Sequence, residues 1–222
     1  MRRCAVVALA VLPAAGVACL QTGEPTPDAA LVTWAAYPET VRIGKTFSFE
    51  FAGPVAPNGC ARLDTAMLAI PDFTVELSAR RSTFDALCAR QRVSFYAMRP
   101  LKIERAGRYR VRTAEGLYLG TLIAVDSGRV STMKSVGEGT VRGAGGCWLF
   151  GPGWAANQRP FALRGAPRAV LLQAGTDRVV HVEGRLIGFA ACGRYGSRPT
   201  IRVDTAWVTD RRGADYYVPT GY

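Results

Sequence analysis

The sequence predicts an all-β protein of two small modules, and three observations carry the prediction. Apolar and polar residues alternate along several short stretches, which is the period of a strand with one buried face. Clusters of Gly, Pro, Asn and Asp punctuate those stretches at short intervals, as in antiparallel sandwiches and barrels. No long stretch keeps a helical period. The chain has 222 residues, 49% of them apolar and 20% charged, enough for each half to build its own core.

The alternation begins at Val41, Ile43, Phe47, Phe49 and Phe51, with Ser48 and Glu50 pointing the other way. Trp34 lies before it. Gly53-Pro54 and Pro57-Asn58-Gly59 make turns. Phe73, Val75, Leu77 and Ala79 alternate against Thr74, Glu76 and Ser78, and Val93, Phe95 and Ala97 give a further strand. Ala106-Gly107 then turns the chain into Tyr109, Val111 and Thr113, with Arg108, Arg110 and Arg112 on the outer face. Glu115-Gly116 returns it as a strand over Leu117 to Val125.

Asp126-Ser127-Gly128 is the expected junction between the modules. Beyond it, Val136 to Val141 and Cys147 to Phe150 flank the glycine turn of residues 143–146, a hairpin. The glycines do not precede a helix, so they make no phosphate-cradling loop. Gly151-Pro152-Gly153 opens a loop that displays Trp154. Pro167 to Ala174 is the one short helix expected, followed by a strand over Val179 to Leu186 and a last one through Ile201, Val203, Thr205 and Trp207. Residues 211–222 are expected to form a polar, aromatic tail.

Two resemblances of pattern refine the fold. The closing hairpin from Leu101 to Val125 resembles the last two strands of an immunoglobulin-like domain. Five strands with one short helix before the fourth is the layout of an OB-fold. Gly139-Thr140-Val141, Gly146-Cys147-Trp148 and the run Val180 to Leu186 (VHVEGRL) also resemble the strands of small secreted bacterial OB-like modules. The expected architecture is therefore an immunoglobulin-like β-sandwich over residues 33–126, followed by an OB-like β-barrel over residues 127–210.

The amino terminus sets the compartment. Arg2 and Arg3 precede an uncharged apolar run from Ala5 to Ala18, and Gly16-Val17-Ala18 stand before Cys19. That run is too short for a transmembrane helix of about 20 residues and has the form of a secretory leader. It resembles a bacterial lipoprotein signal, in which the cysteine after a small-residue box is lipidated and becomes the mature terminus. Gly16 stands where that family usually has leucine. Ordinary cleavage after Ala18 would give the same start without lipid. Residues 1–18 thus read as a signal peptide and 19–32 as a Pro/Thr-rich tether.

Outside the cytoplasm the remaining cysteines are expected to pair. Four residues allow three connectivities, and the junction near residue 127 selects Cys60 with Cys88 and Cys147 with Cys192. Each closure would contribute about 3–4 kcal/mol in the chain-entropy model. None has the C-x-x-C spacing of a zinc or redox site, and no metal or cofactor is expected.

Charge is uneven. The chain carries a formal net charge of +11. Ser127 to Tyr222 holds 13 basic and 6 acidic residues, whereas Glu24 to Asp126 is nearly balanced at 13 and 11. By analogy with OB-folds, a ligand face on the barrel would comprise Trp148, Phe150, Trp154, Arg194, Tyr195 and Arg198. His181 is the only histidine and is expected on an outer strand face beside Glu183. No G-x-S-x-G turn accompanies it, and Asp177 alone does not complete a triad, so no catalytic residue is assigned. The expected role is a non-catalytic, lipid-anchored module of the cell envelope, otherwise secreted, binding an envelope protein or polymer. The alternative is a basic OB-like domain that binds single-stranded nucleic acid or an anionic glycan.

Overall fold

Alternation governs most of the backbone. A computed structural model of the protein describes residues 26–56, 58–84, 88, 92–152, 160–174 and 178–212. Nine strands occupy the first half: β1 (Thr26–Ala30), β2 (Trp34–Pro38), β3 (Thr40–Arg42), β4 (Thr46–Ala56), β5 (Ala61–Ala69), β6 (Thr74–Thr83), β7 (Val93–Lys102), β8 (Gly107–Thr113) and β9 (Tyr118–Val125). The second half contributes β10 (Met133–Ala144), β11 (Cys147–Pro152), β12 (Phe161–Arg164), helix α1 (Arg168–Ala174), β13 (Arg178–Ala191) and β14 (Ser197–Arg212). The all-β expectation holds.

Two sheets carry these strands. The first runs β1-β6-β8-β9-β3, with β5 along the other edge of β6. The second runs β7-β4-β2-β10-β13-β14-β12-β11, and β11 pairs back onto β10. Its last five strands therefore form a closed ring. Three pairs are parallel, namely β3 with β9, β6 with β8, and β12 with β14. The chain bends at residues 126–128, yet the hydrogen bonding of the second sheet passes from one half to the other. Strand β2 makes that connection, lying antiparallel between β4 and β10 with Trp34 opposite Gly137 and Ala36 opposite Ser135.

The pleat of β2 feeds two cores at once. Ala35 and Tyr37 enter a core between the first sheet and the β2-β4-β7 edge, together with Phe49, Phe51, Leu77 and Val111. Trp34 and Ala36 enter the second core, with Phe150, Phe161, Val180, Val182, Ile201 and the helix residues Leu171 and Ala174. Trp34 is wholly buried, lies 5.0 Å from the Phe161 ring, and donates its Nε1–H to Ser135 Oγ at 2.9 Å. Gly137 permits this crossing. Its φ is +137°, and a Cβ there would fall 2.3 Å from the Thr33 carbonyl oxygen.

Three sequence expectations are corrected. Trp34 does not precede the strands but begins β2. Residues 26–30, placed in the tether, form β1 along β6, with Ala30 and Val32 buried and Arg81 paired to Asp28 at 2.8 Å. That guanidinium, hydrogen-bonded to Asp28, holds its carboxyl below the usual range. Glu50 faces away from Phe49 and Phe51, but its side is the second core rather than solvent, and the Tyr96 hydroxyl binds it there. The leader, Cys19 and the tail from residue 213 lie outside the described residues.

A sheet shared by both cores predicts one cooperative transition, with circular dichroism and fluorescence coinciding. Trp34→Ala should lower stability by about 3–5 kcal/mol and still leave a single transition. Two separate transitions in a calorimetric scan would show that the halves unfold independently.

Candidate functional site

Both disulfides join the expected partners. Cys60 and Cys88 have Cα atoms 5.2 Å apart, and Cys147 and Cys192 have theirs 5.4 Å apart. The second ties the end of the long β13–β14 hairpin to the glycine turn between β10 and β11. Around it gather some of the proposed ligand-face residues. Arg194 is exposed and donates to the Tyr195 hydroxyl at 3.1 Å. The guanidinium carbons of Arg194 and Arg142 stand 5.2 and 5.6 Å from the Tyr195 ring centre. Two arginines therefore occupy the ring that was expected to stack a ligand.

The remaining face residues do not join this group as a surface. Phe150 is a correction: it is fully buried in the second core, because its pairing with Val141 and Phe161 aims it into the ring. Trp148 is half-buried and packs against the same core. Arg198 is half-buried with its Nε enclosed. Trp154 lies outside the described residues.

A different concavity opens where the two halves meet. It measures about 470 Å³ and is lined by the β2–β3 corner, the strands β8 and β9, and the outer faces of β10 and β13. Its walls are tied by hydrogen bonds within the first half and across the junction to the second. The Tyr37 hydroxyl donates to the Leu119 carbonyl at 2.8 Å, and the Ile123 amide donates to the Glu39 carbonyl at 2.7 Å. Thr40 and Ser131 bond each other through the Thr40 amide and the Ser131 hydroxyl at 2.8 Å. Gly120, at φ +118°, forms part of the lining, and a Cβ there would sit 2.5 Å from the Tyr37 hydroxyl. Any side chain at 120 would collide with the floor of the cleft.

The charges in the cleft are mostly matched. Glu39 lies between Arg185 at 3.5 Å and Lys134 at 3.9 Å. Glu183 lies 3.2 Å from His181 Nε2. Arg108 has no ion-pair partner among the described residues. Tyr118 stands at the rim, 58% exposed, with its hydroxyl bonded to Thr121 at 2.8 Å. His181 stands beside Glu183, as expected. It faces outward from the barrel, but Trp207 lies directly opposite it on β14 and stacks on it at 4.1 Å, leaving the side chain 15% exposed. No serine or cysteine lines the cleft. Among the described residues no group of three or more His, Cys, Asp or Glu side chains is placed to hold a metal ion.

This cleft was not read from the sequence. Its residues come from four strands and the β2–β3 corner, and no local spacing links Glu39 with Arg108 or His181. The available signals were a glycine inside an apolar strand and a solitary histidine on an outer face.

Burial pushes the Tyr37 hydroxyl far above the ordinary tyrosine range, and nearby Tyr118, Glu39 and Glu183 add to the effect. A raised pKa contributes stability that is intact below the unfolded value of about 10 and is lost as pH rises beyond it. Unfolding titrations should show that alkaline loss in the native sequence and a shallower one in Tyr37→Phe. At neutral pH the variant should be less stable by about 1–2 kcal/mol, because the Leu119 carbonyl loses its donor. An unchanged alkaline slope would remove Tyr37 from this role.

No family model matches the chain, and no match was found among curated proteins or solved structures.

Proposed function

We propose that the protein is an exported, lipid-anchored, non-catalytic binding module of the cell envelope. One observation carries the reading: two disulfides, each closed within one half, in a chain whose first nineteen residues read as a leader ending at Cys19. Disulfides of this kind belong to an oxidising compartment. Residues 19–25 then separate the lipid from the first strand, a short tether that would hold the folded part near the membrane.

The same reading takes the ring as an OB-like barrel. Its spatial order β10-β11-β12-β14-β13, with α1 between the third and fourth strands, supports this. The first half is taken as a sandwich of the immunoglobulin-like kind, supported by the facing of two sheets across one core. Its parallel pairs β3–β9 and β6–β8 set it apart from the wholly antiparallel form.

Binding of single-stranded nucleic acid or anionic glycan on the barrel tip is the weaker reading. Phe150 is in the core and the Tyr195 ring already carries two arginines.

Intact mass of the protein from its native host tests the proposal, with and without reduction and alkylation. The expected species starts at Cys19, carries acyl mass, and gains four alkyl groups only after reduction. An unmodified Cys19 would make it secreted without an anchor. Free thiols on an uncut chain would overturn the export reading.

A further inference from the structure

The cleft between the halves has a composition that selects its ligand. It is polar, and four of its charged or basic groups are already arranged in pairs, Glu39 with Lys134 and His181 with Glu183. Arg108 is the lining charge left over. It sits on the outer face of β8, followed by Arg110 two residues on, and its register partner on β9 is the partly exposed Ile123. We infer that this cleft binds a carboxylate-bearing sugar unit of an acidic glycan, with Arg108 meeting the carboxylate and Tyr118 lying against the sugar ring.

Three physical features lead there. A planar guanidinium with no ion-pair partner among the described residues presents paired donors that match a carboxylate in bidentate fashion. The carboxylates of Glu39 and Glu183 only accept hydrogen bonds, so the rest of the ligand must bring donors. Sugar hydroxyls supply them, whereas the phosphodiester backbone of DNA has none. Tyr118 supplies a broad, exposed aromatic face at the rim, fixed through its hydroxyl to Thr121, and so costs little ordering on binding. Gly120 keeps the floor open beneath it.

The inference deepens the binding reading above but rests on the cleft alone and needs no lipid anchor. The two can therefore fail separately: the mass measurement decides the anchor and the titration below decides the site.

The probe is tetragalacturonate, titrated into the purified protein, with the ring protons of the single histidine followed by NMR. Its fully methyl-esterified form removes the charge and keeps the sugars. A thymidine tetranucleotide supplies phosphodiesters. Saturable displacement of the His181 signals by the uronate is expected, at least about tenfold weaker with the ester and with Arg108→Gln, since a charged hydrogen-bonded pair is lost. Tyr118→Ala should weaken binding severalfold. Arg168→Gln, outside the cleft, controls for net charge and should bind normally. Thermal melting points of Arg108→Gln and Tyr118→Ala should match the native one, since both side chains are exposed. Equal binding of ester and acid, equal binding of the tetranucleotide through Arg108, or no displacement of the His181 signals by the uronate would each overturn the proposal.

Discussion

The architecture depends on five buried residues, Trp34 to Pro38, that pair with β10 along one edge and, over Trp34 to Ala36, with β4 along the other. A strand in that position cannot belong to one module. Its amides and carbonyls are satisfied by β4 on one side and β10 on the other, and its side chains alternate between two cores. Removing either neighbour would leave backbone groups bare beside an apolar surface. The close passage of Gly137 over Thr33 and Trp34 shows how little space the crossing leaves.

The same crossing creates the cleft. Because β2 turns at Glu39 into β3, which pairs with β9, the edge of the first sheet is brought over the outer face of β10 and β13. Polar side chains that would face water on an isolated barrel there face a second wall. His181 illustrates this. Its position on the strand predicts an outer face, and it has one, but that face is roofed by Trp207 and bounded by the first half.

Legibility in the sequence followed the range of the interaction. Period-two alternation identified β6, β8 and the core of β13, because each strand has one apolar side. It did not identify β1, whose TPDAA sequence has no alternation and is held by backbone pairing to β6 and by Asp28 with Arg81. It passed over β2, where Trp34, Ala35, Ala36 and Tyr37 form a continuous apolar run because both faces are buried. The cysteine pairs were legible because each closes within one half. The cleft was not, since it is assembled from residues as distant as Glu39 and Glu183, and nothing local records their meeting. Phe150 was misplaced for the opposite reason: an aromatic beside a glycine turn reads equally as display or as core, and its burial is decided by Phe161 and Val141 across the ladder.

The shared strand also has a consequence in time. A chain leaving the ribosome delivers β2 about a hundred residues before β10 exists to cover it. Until then the Trp34–Pro38 edge is an uncapped ladder beside an exposed tryptophan, a template for another copy of the same segment. The first half therefore cannot complete itself during synthesis. Its stability is deferred until the second half arrives.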